Sequence, residues 1–95
     1  MPAYVFVEIE IYNQELYEEY KRMTPGTIDD FDGKFVVRGG RTEHLEGEWK
    51  PERIVLLEFP SVERAREWWE SEAYTRARLV RQRAAETKMI ILEGV

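Results

Sequence analysis

Hydrophobic positions change their spacing several times along the chain, and each change marks an element. From Tyr4 to Ile11 the side chains alternate, with Val5, Val7, Ile9 and Ile11 on one face and Tyr4, Phe6, Glu8 and Glu10 on the other. That is the period of a strand. Helical spacing follows. Asn13 is suited to cap a helix whose stripe carries Leu16, Tyr20 and Met23, with Tyr17 on its flank, and Pro25-Gly26 is expected to end it. Ile28 and Phe31 read as one short turn packed on a sheet, after which Asp32-Gly33 leads into a strand at Lys34 to Arg38. Gly39-Gly40 has the composition of a bulge, and Arg41 to Leu45 is expected to prolong the strand beyond it. Gly47 to Pro51 supplies a turn, and Arg53 to Phe59, rich in Ile, Val, Leu and Phe, is the clearest strand. Ser61 can cap a helix presenting Val62, Ala65 and Trp69, which leaves Trp68 about a hundred degrees away. Ser71 can cap a further helix over residues 72–86 with Ala73, Ala77, Val80 and Ala84 inward, and Met89 to Leu92 closes the chain as a short strand.

The predicted order is β, α, β, β, α, β, within a single domain spanning residues 1–95. It points to an α+β, ferredoxin-like βαββαβ subunit with a four-stranded antiparallel sheet and helices on one face. An antiparallel sheet with one wet face should carry polar residues at alternate positions. Here Val55, Leu57 and Phe59 stand opposite Ile54 and Leu56, and Met89 and Ile91 stand opposite Ile90 and Leu92. Helices can cover only one of those faces. The other needs a second copy or a ligand cavity, since an apolar patch of several hundred Å² marks an interaction site. The expectation is a homodimer joined sheet to sheet.

Composition narrows the functional classes. The chain has 95 residues, no cysteine, 43% hydrophobic residues, and 14 Lys plus Arg against 19 Asp plus Glu, a net charge of −5. A domain this small buries only about 60% of its unfolded surface, which also favours self-association. Without cysteine there is no disulfide, thiolate nucleophile or cysteine zinc site. The acidic balance argues against nucleic acid and anionic membranes as partners. No aliphatic run approaches the roughly 20 residues of a membrane span, and no signal peptide is evident at the N-terminus, so the default location is cytoplasmic. Arg76, Arg78, Arg81 and Arg83 look like a basic run but read as a solvated helix.

One stretch carries a resemblance. Phe35-Val36-Val37-Arg38-Gly39-Gly40, continued by Leu45-Glu46-Gly47-Glu48-Trp49, Pro51-Glu52-Arg53-Ile54-Val55, Glu58-Phe59-Pro60-Ser61, and Trp68-Trp69 to Ser71 and Tyr74, resembles the domain of unknown function 1330 family. The resemblance covers essentially the whole chain. It implies a subunit of the dimeric α+β barrel superfamily and a sheet-to-sheet dimer, and it transfers no catalytic residue.

The candidate site residues come from chemistry alone. His44 is the only histidine and the one side chain with an ordinary pKa near neutrality, a candidate acid or base beside Arg38, Arg41 and Arg53; its plainer reading is an exposed hairpin residue. Arg38 and Arg53 could converge across the hairpin as a clamp for a carboxylate or enolate. The plainer alternative pairs them with Glu8, Glu10, Glu43 or Glu58. Glu8, Glu10 and Glu58 lie among apolar neighbours, so a partly buried carboxylate answered by an arginine is expected, with Glu8 as a candidate ligand contact. Trp68 and Trp49 are placed at an interface or pocket rim, and Tyr74 is placed to offer its hydroxyl to the same cavity. One histidine with scattered glutamates is too thin for a metal site, and no haem or other cofactor is indicated.

The functional reading is therefore a dimer with a small-molecule pocket between sheet and helices. If catalytic, the superfamily resemblance implies cofactor-independent oxygenation or isomerisation. The alternatives are a non-catalytic ligand-binding or regulatory module, or a purely structural dimer.

Overall fold

Strand β1 (Ala3–Ile11) runs through the middle of the molecule and dictates what each layer contains. It pairs antiparallel with β3 (Arg53–Phe59) on one side and with β4 (Ala85–Glu93) on the other, and β2 (Lys34–Arg38) completes the sheet in the order β2-β3-β1-β4. The structure, a computed structural model, describes residues 1–95. Three helices, α1 (Gln14–Asp29), α2 (Val62–Glu70) and α3 (Glu72–Ala84), cover one face of this sheet. The architecture is the ferredoxin-like α+β plan with one helix divided in two.

Alternation in β1 is kept. Ala3, Val5, Val7 and Ile9 are buried under the helices, while Tyr4, Phe6 and Glu8 are half-buried on the outer face. Val55, Leu57 and Phe59 of β3 join the inner layer. The core is completed by Tyr17, Tyr20 and Ile28 of α1, Ala65 and Trp68 of α2, and Tyr74 and Ala77 of α3. Trp68 is its centrepiece: its ring lies 4.0 Å from that of Tyr74 and 5.3 Å from that of Phe59, and its Nε1 donates to Thr27 Oγ1 at 3.1 Å.

All three expected caps are present. Asn13, Ser61 and Ser71 accept hydrogen bonds from the backbone N–H groups of Leu16, Arg64 and Tyr74, satisfying donors that a helix start leaves free.

Several expectations are corrected. Helix α1 does not stop at Pro25-Gly26 but continues to Asp29. Pro25 removes one N–H from the ladder, and the carbonyl of Lys21 that it would have bonded accepts instead from Arg38 Nη2 at 3.4 Å. Gly39-Gly40 is not a bulge within a strand, and residues 41–45 form no strand; β2 ends at Arg38 and residues 39–52 form an irregular loop. The register shift lies between Phe35 and Val37. Trp68 is buried in the core and is no rim residue, whereas Trp69, assigned inward, is 38% exposed. The inner face of α3 carries Tyr74, Ala77, Arg81 and Ala84, so Ala73 points outward and Arg81 does not belong to a solvated face. Residues 74, 77, 81 and 84 follow a spacing of three and four, which places this arginine on the apolar stripe. Strand β4 is longer than expected, beginning at Ala85.

Gly33 shows how tightly β2 is led into the sheet. A Cβ there would meet Phe59 Cε1 at 2.5 Å and Ile28 Cγ2 at 2.8 Å, both core side chains, while a Cβ on Gly26 would meet nothing within 4 Å. Gly33→Ala is therefore expected to lower unfolding stability by about 1–3 kcal/mol through overpacking. Gly26→Ala, inside α1, is expected to raise it by about 0.5–1 kcal/mol. Urea unfolding midpoints at constant slope check both signs.

Candidate functional site

Between α1 and the inner face of β2 and β3 lies a cavity of about 30 Å³, lined by Tyr17, Tyr20, Thr24, Phe35, Val55 and Trp68 among others. Its volume leaves room for little more than ordered water. Three cationic side chains, Lys21, Arg38 and Arg53, join its lining where α1 meets the end of the hairpin.

Backbone register decides which way the arginines point. Lys34 stands opposite Glu58 on the outer face and Phe35 opposite Leu57 on the inner one. Strict alternation would then put Arg38 outside. The extra residue Val36 shifts the pairing, so that Val37 faces Leu56 on the outer side and Arg38 faces Val55 on the inner side. Arg53, paired with the inward Ile9, already points into the same layer. The bulge at Val36 thereby brings Arg38 and Arg53 to one cavity.

Each arginine is held by contacts other than a carboxylate. The Arg38 guanidinium lies 4.3 Å from the centroid of the Phe35 ring and bonds the Lys21 carbonyl. Arg53 Nε donates to the Tyr17 hydroxyl at 3.1 Å, and its guanidinium lies 5.5 Å from the Tyr17 ring. Gly39 makes room for it: the backbone is left-handed there, at φ 68°, and a side chain would collide with the Arg53 guanidinium. None of the salt bridges in the chain involves Arg38 or Arg53, so their expected pairing with Glu8, Glu10, Glu43 or Glu58 does not occur.

Of the residues singled out in the sequence, Arg38, Arg53 and Trp68 line this one cavity. Tyr74 stands just behind it, fully buried, with its hydroxyl 2.8 Å from that of Tyr20. Glu8 and His44 are elsewhere. Glu8 is on the opposite face of the sheet, where it accepts from Trp49 Nε1 at 2.9 Å, and not from an arginine. Glu58 is answered by Lys34 at 3.9 Å and Glu10 is exposed. His44 is exposed in the 39–52 loop, its Nε2 against the Gly47 carbonyl, and it lines a groove with Phe6, Val37, Arg41, Trp49 and Ile54. Phe6, Val37 and Ile54 are outer-face residues, so the sheet separates His44 from Arg38 and Arg53.

Tyr17 and Tyr20 are cavity residues that the sequence placed on the helix stripe and its flank without a site role. Burial pushes the Tyr17 phenol above the ordinary tyrosine range, with Arg53 pulling partly the other way. Tyr20 is pushed well above it, by burial first and by its Tyr74 partner second. Both stay protonated at neutral pH. The helix stripe alone, at spacings of three and four from Tyr17 to Tyr20 to Thr24, held the signal that would have found them.

Comparison with known proteins agrees with this architecture. A family model described as Domain of unknown function (DUF1330) matches residues 2–95. Among solved structures, the RPA0582 protein of unknown function from Rhodopseudomonas palustris is 22% identical with a TM-score of 0.78, over 99% of this chain and 82% of that one. A dimeric ferredoxin-like protein of unknown function from Jannaschia sp. CCS1 is 12% identical with a TM-score of 0.74, over 99% and 100%. SnoaB, a cofactor-independent oxygenase from Streptomyces nogalater, is 8% identical with a TM-score of 0.68, over 99% and 93%. At these identities the likeness is one of fold. No functionally curated protein matches the chain. No helix is long and apolar enough to cross a membrane.

The raised phenols set an alkaline response. Above about pH 10 the unfolded chain releases tyrosine protons that the folded chain retains, so stability is complete at lower pH and falls as pH rises through that range. The urea midpoint is expected to drop between neutral and strongly alkaline pH, and Tyr20→Phe should make that drop shallower. An unchanged slope in the variant would remove Tyr20 from the account.

Proposed function

The chain belongs to the domain of unknown function (DUF1330) family, and from that premise we propose that it acts as a homodimer whose subunits each bind a small organic carboxylate beside Arg38 and Arg53. The ligand part rests on one observation. Two guanidinium groups meet at a single cavity with no carboxylate of their own chain in ion-pair reach. Each is oriented by an aromatic ring and a hydrogen bond, leaving donors for a bidentate acceptor. The interior behind them has room for little more than water, so the ligand would sit at the arginine-lined end and carry few carbon atoms.

The dimer part rests on the outer face of the sheet. Cross-strand register aligns Val37, Leu56, Phe6 and Ile90 in one row across all four strands, every member apolar. A flanking row holds Tyr4 and Leu92. Ile90 is 55% and Leu92 44% exposed, far more than the ordinary strand interior, and no helix covers this side. The Jannaschia protein, described as dimeric, shares the fold, which supports self-association; a second copy seated sheet to sheet would cover this face.

An oxygenase-like reaction, the activity named for SnoaB, or an isomerase-like one has narrower support. Such chemistry needs a group that takes a proton near neutral pH. Tyr17 and Tyr20 remain protonated there, and His44 is on the other side of the sheet. Binding is the better-supported use.

Light scattering at micromolar concentration is expected to give twice the 11.4 kDa chain mass, and Ile90→Lys should halve it. A wild-type monomer would sink the dimer. Calorimetric titration with acetate and glyoxylate is expected to show binding weakened by about tenfold or more in Arg38→Ala and in Arg53→Ala, the size of one charge-assisted hydrogen bond, and unchanged in His44→Ala. Equal affinity across all four proteins would overturn the ligand assignment.

A further inference from the structure

On the far side of Trp68 and Met89 a second hollow, about 390 Å³ in volume, opens between α2, α3 and β4. Three buried side-chain polar atoms in the chain have no hydrogen-bond partner: Nε of Arg78, Nε of Arg81 and Oγ1 of Thr87. All three residues line this hollow. A native fold rarely leaves such atoms unsatisfied, because each costs the desolvation of its group. The three residues border one space, and the chain itself offers neither arginine a carboxylate there.

Charge says what kind of acceptor. Arg81 is only 6% exposed, and neither it nor Arg78 takes part in a salt bridge. Water would supply an oxygen but no countercharge. The dipole of α3, whose last turn holds Arg81, and the Tyr20 ring 5.9 Å from its guanidinium offset part of the cost, yet neither gives Nε an acceptor. Arg78 is held ready by stacking at 4.1 Å over the Trp69 ring and by donating from Nη2 to Thr75 Oγ1 at 3.4 Å. Three positions apart on α3, the two arginines lie on adjoining faces, with Thr87 of β4 alongside. Apart from Gln82, the remaining walls are apolar, among them Val5, Ala65, Ile91 and the Trp68 ring. Volume and lining both fall within the range of small-molecule sites.

We propose that this hollow is a second binding site, distinct from the Arg38 and Arg53 cavity, for an apolar carboxylic acid whose carboxylate is held by Arg81, Arg78 and the Thr87 hydroxyl. Its apolar body rests on the wall formed by Val5, Ala65 and Ile91.

Benzoate is the probe, with acetate and inorganic phosphate as comparators, titrated by calorimetry into the intact protein. In Arg53→Ala, where the first cavity no longer holds acetate, benzoate is expected to bind at least tenfold more tightly than either comparator and as tightly as it binds the wild type. Arg81→Met is expected to weaken benzoate at least tenfold and to raise the ligand-free thermal midpoint, because an unanswered buried charge is replaced by an apolar chain of similar length. Thr87→Val, nearly the same shape, should weaken benzoate several-fold with the fold intact by circular dichroism. The proposal is overturned if phosphate or acetate binds Arg53→Ala as tightly as benzoate does, or if benzoate does not bind at millimolar concentration. It is equally overturned if Arg81→Met lowers the midpoint or fails to fold, or if it changes the oligomeric state, which would assign the answering carboxylate to a second copy. Unchanged benzoate affinity in Thr87→Val would remove the hydroxyl and the site with it.

Discussion

Everything in this fold depends on the pairing of β1 between β3 and β4. With hydrogen-bonded neighbours on both edges, β1 cannot slip by one residue without turning its aliphatic set outward and its Tyr, Phe and Glu set into the core. Its register therefore assigns Ile9 and Arg53 to the inner layer, and Phe6, Leu56 and Ile90 to the outer one. One layer of helices can cover only the first. The apolar outer row and the arginine-lined inner cavity are consequences of the same register, seen from opposite sides of one sheet.

A single inserted residue does the remaining positioning. Val36 breaks the alternation of β2, and two residues later Arg38 has changed face. The same reversal lets Arg38 reach the Lys21 carbonyl that Pro25 leaves without its helical donor, within a helix that continues as far as Asp29. A residue expected to end a helix and a residue expected to bind a ligand are thus linked through one carbonyl. Gly39, with its left-handed backbone and absent side chain, clears the path for Arg53 alongside.

Cores and sites are not separate in so small a domain. Trp68 touches Tyr74 and Phe59 in the packed interior and also forms a wall of both cavities. Tyr17 and Tyr20 are core residues by burial and lining residues by position, and their burial keeps the phenols protonated. That makes the interior a place that orients and excludes water more readily than one that moves protons. Polar demand is met at its edge, by the guanidinium groups of Arg38 and Arg53 on one side and of Arg78 and Arg81 on the other.

Sequence patterning by itself determined the element order, the antiparallel sheet with one helical layer, the three caps and the two-faced apolar strands. Each depends on interactions within a few residues or on face parity, which a linear pattern records. It also named Arg38 and Arg53, because two arginines flanking a hairpin are visible as such. What it could not decide depended on partners distant in the chain. Which of Trp68 and Trp69 enters the core turns on the phase of a short helix against Tyr74 and Phe59, and α2 has too few turns to show that phase alone. Residues 41–45 find no partner strand, because β3 begins only at Arg53. His44 looked close to the arginines along the chain and Glu8 was a candidate for the same ligand, yet the sheet separates both from Arg38 and Arg53. Arg81 looked like one of a solvated run, and only the packing of α3 over β4 buries it. Local physics wrote the elements; tertiary packing chose the side of the sheet on which each charge would be found.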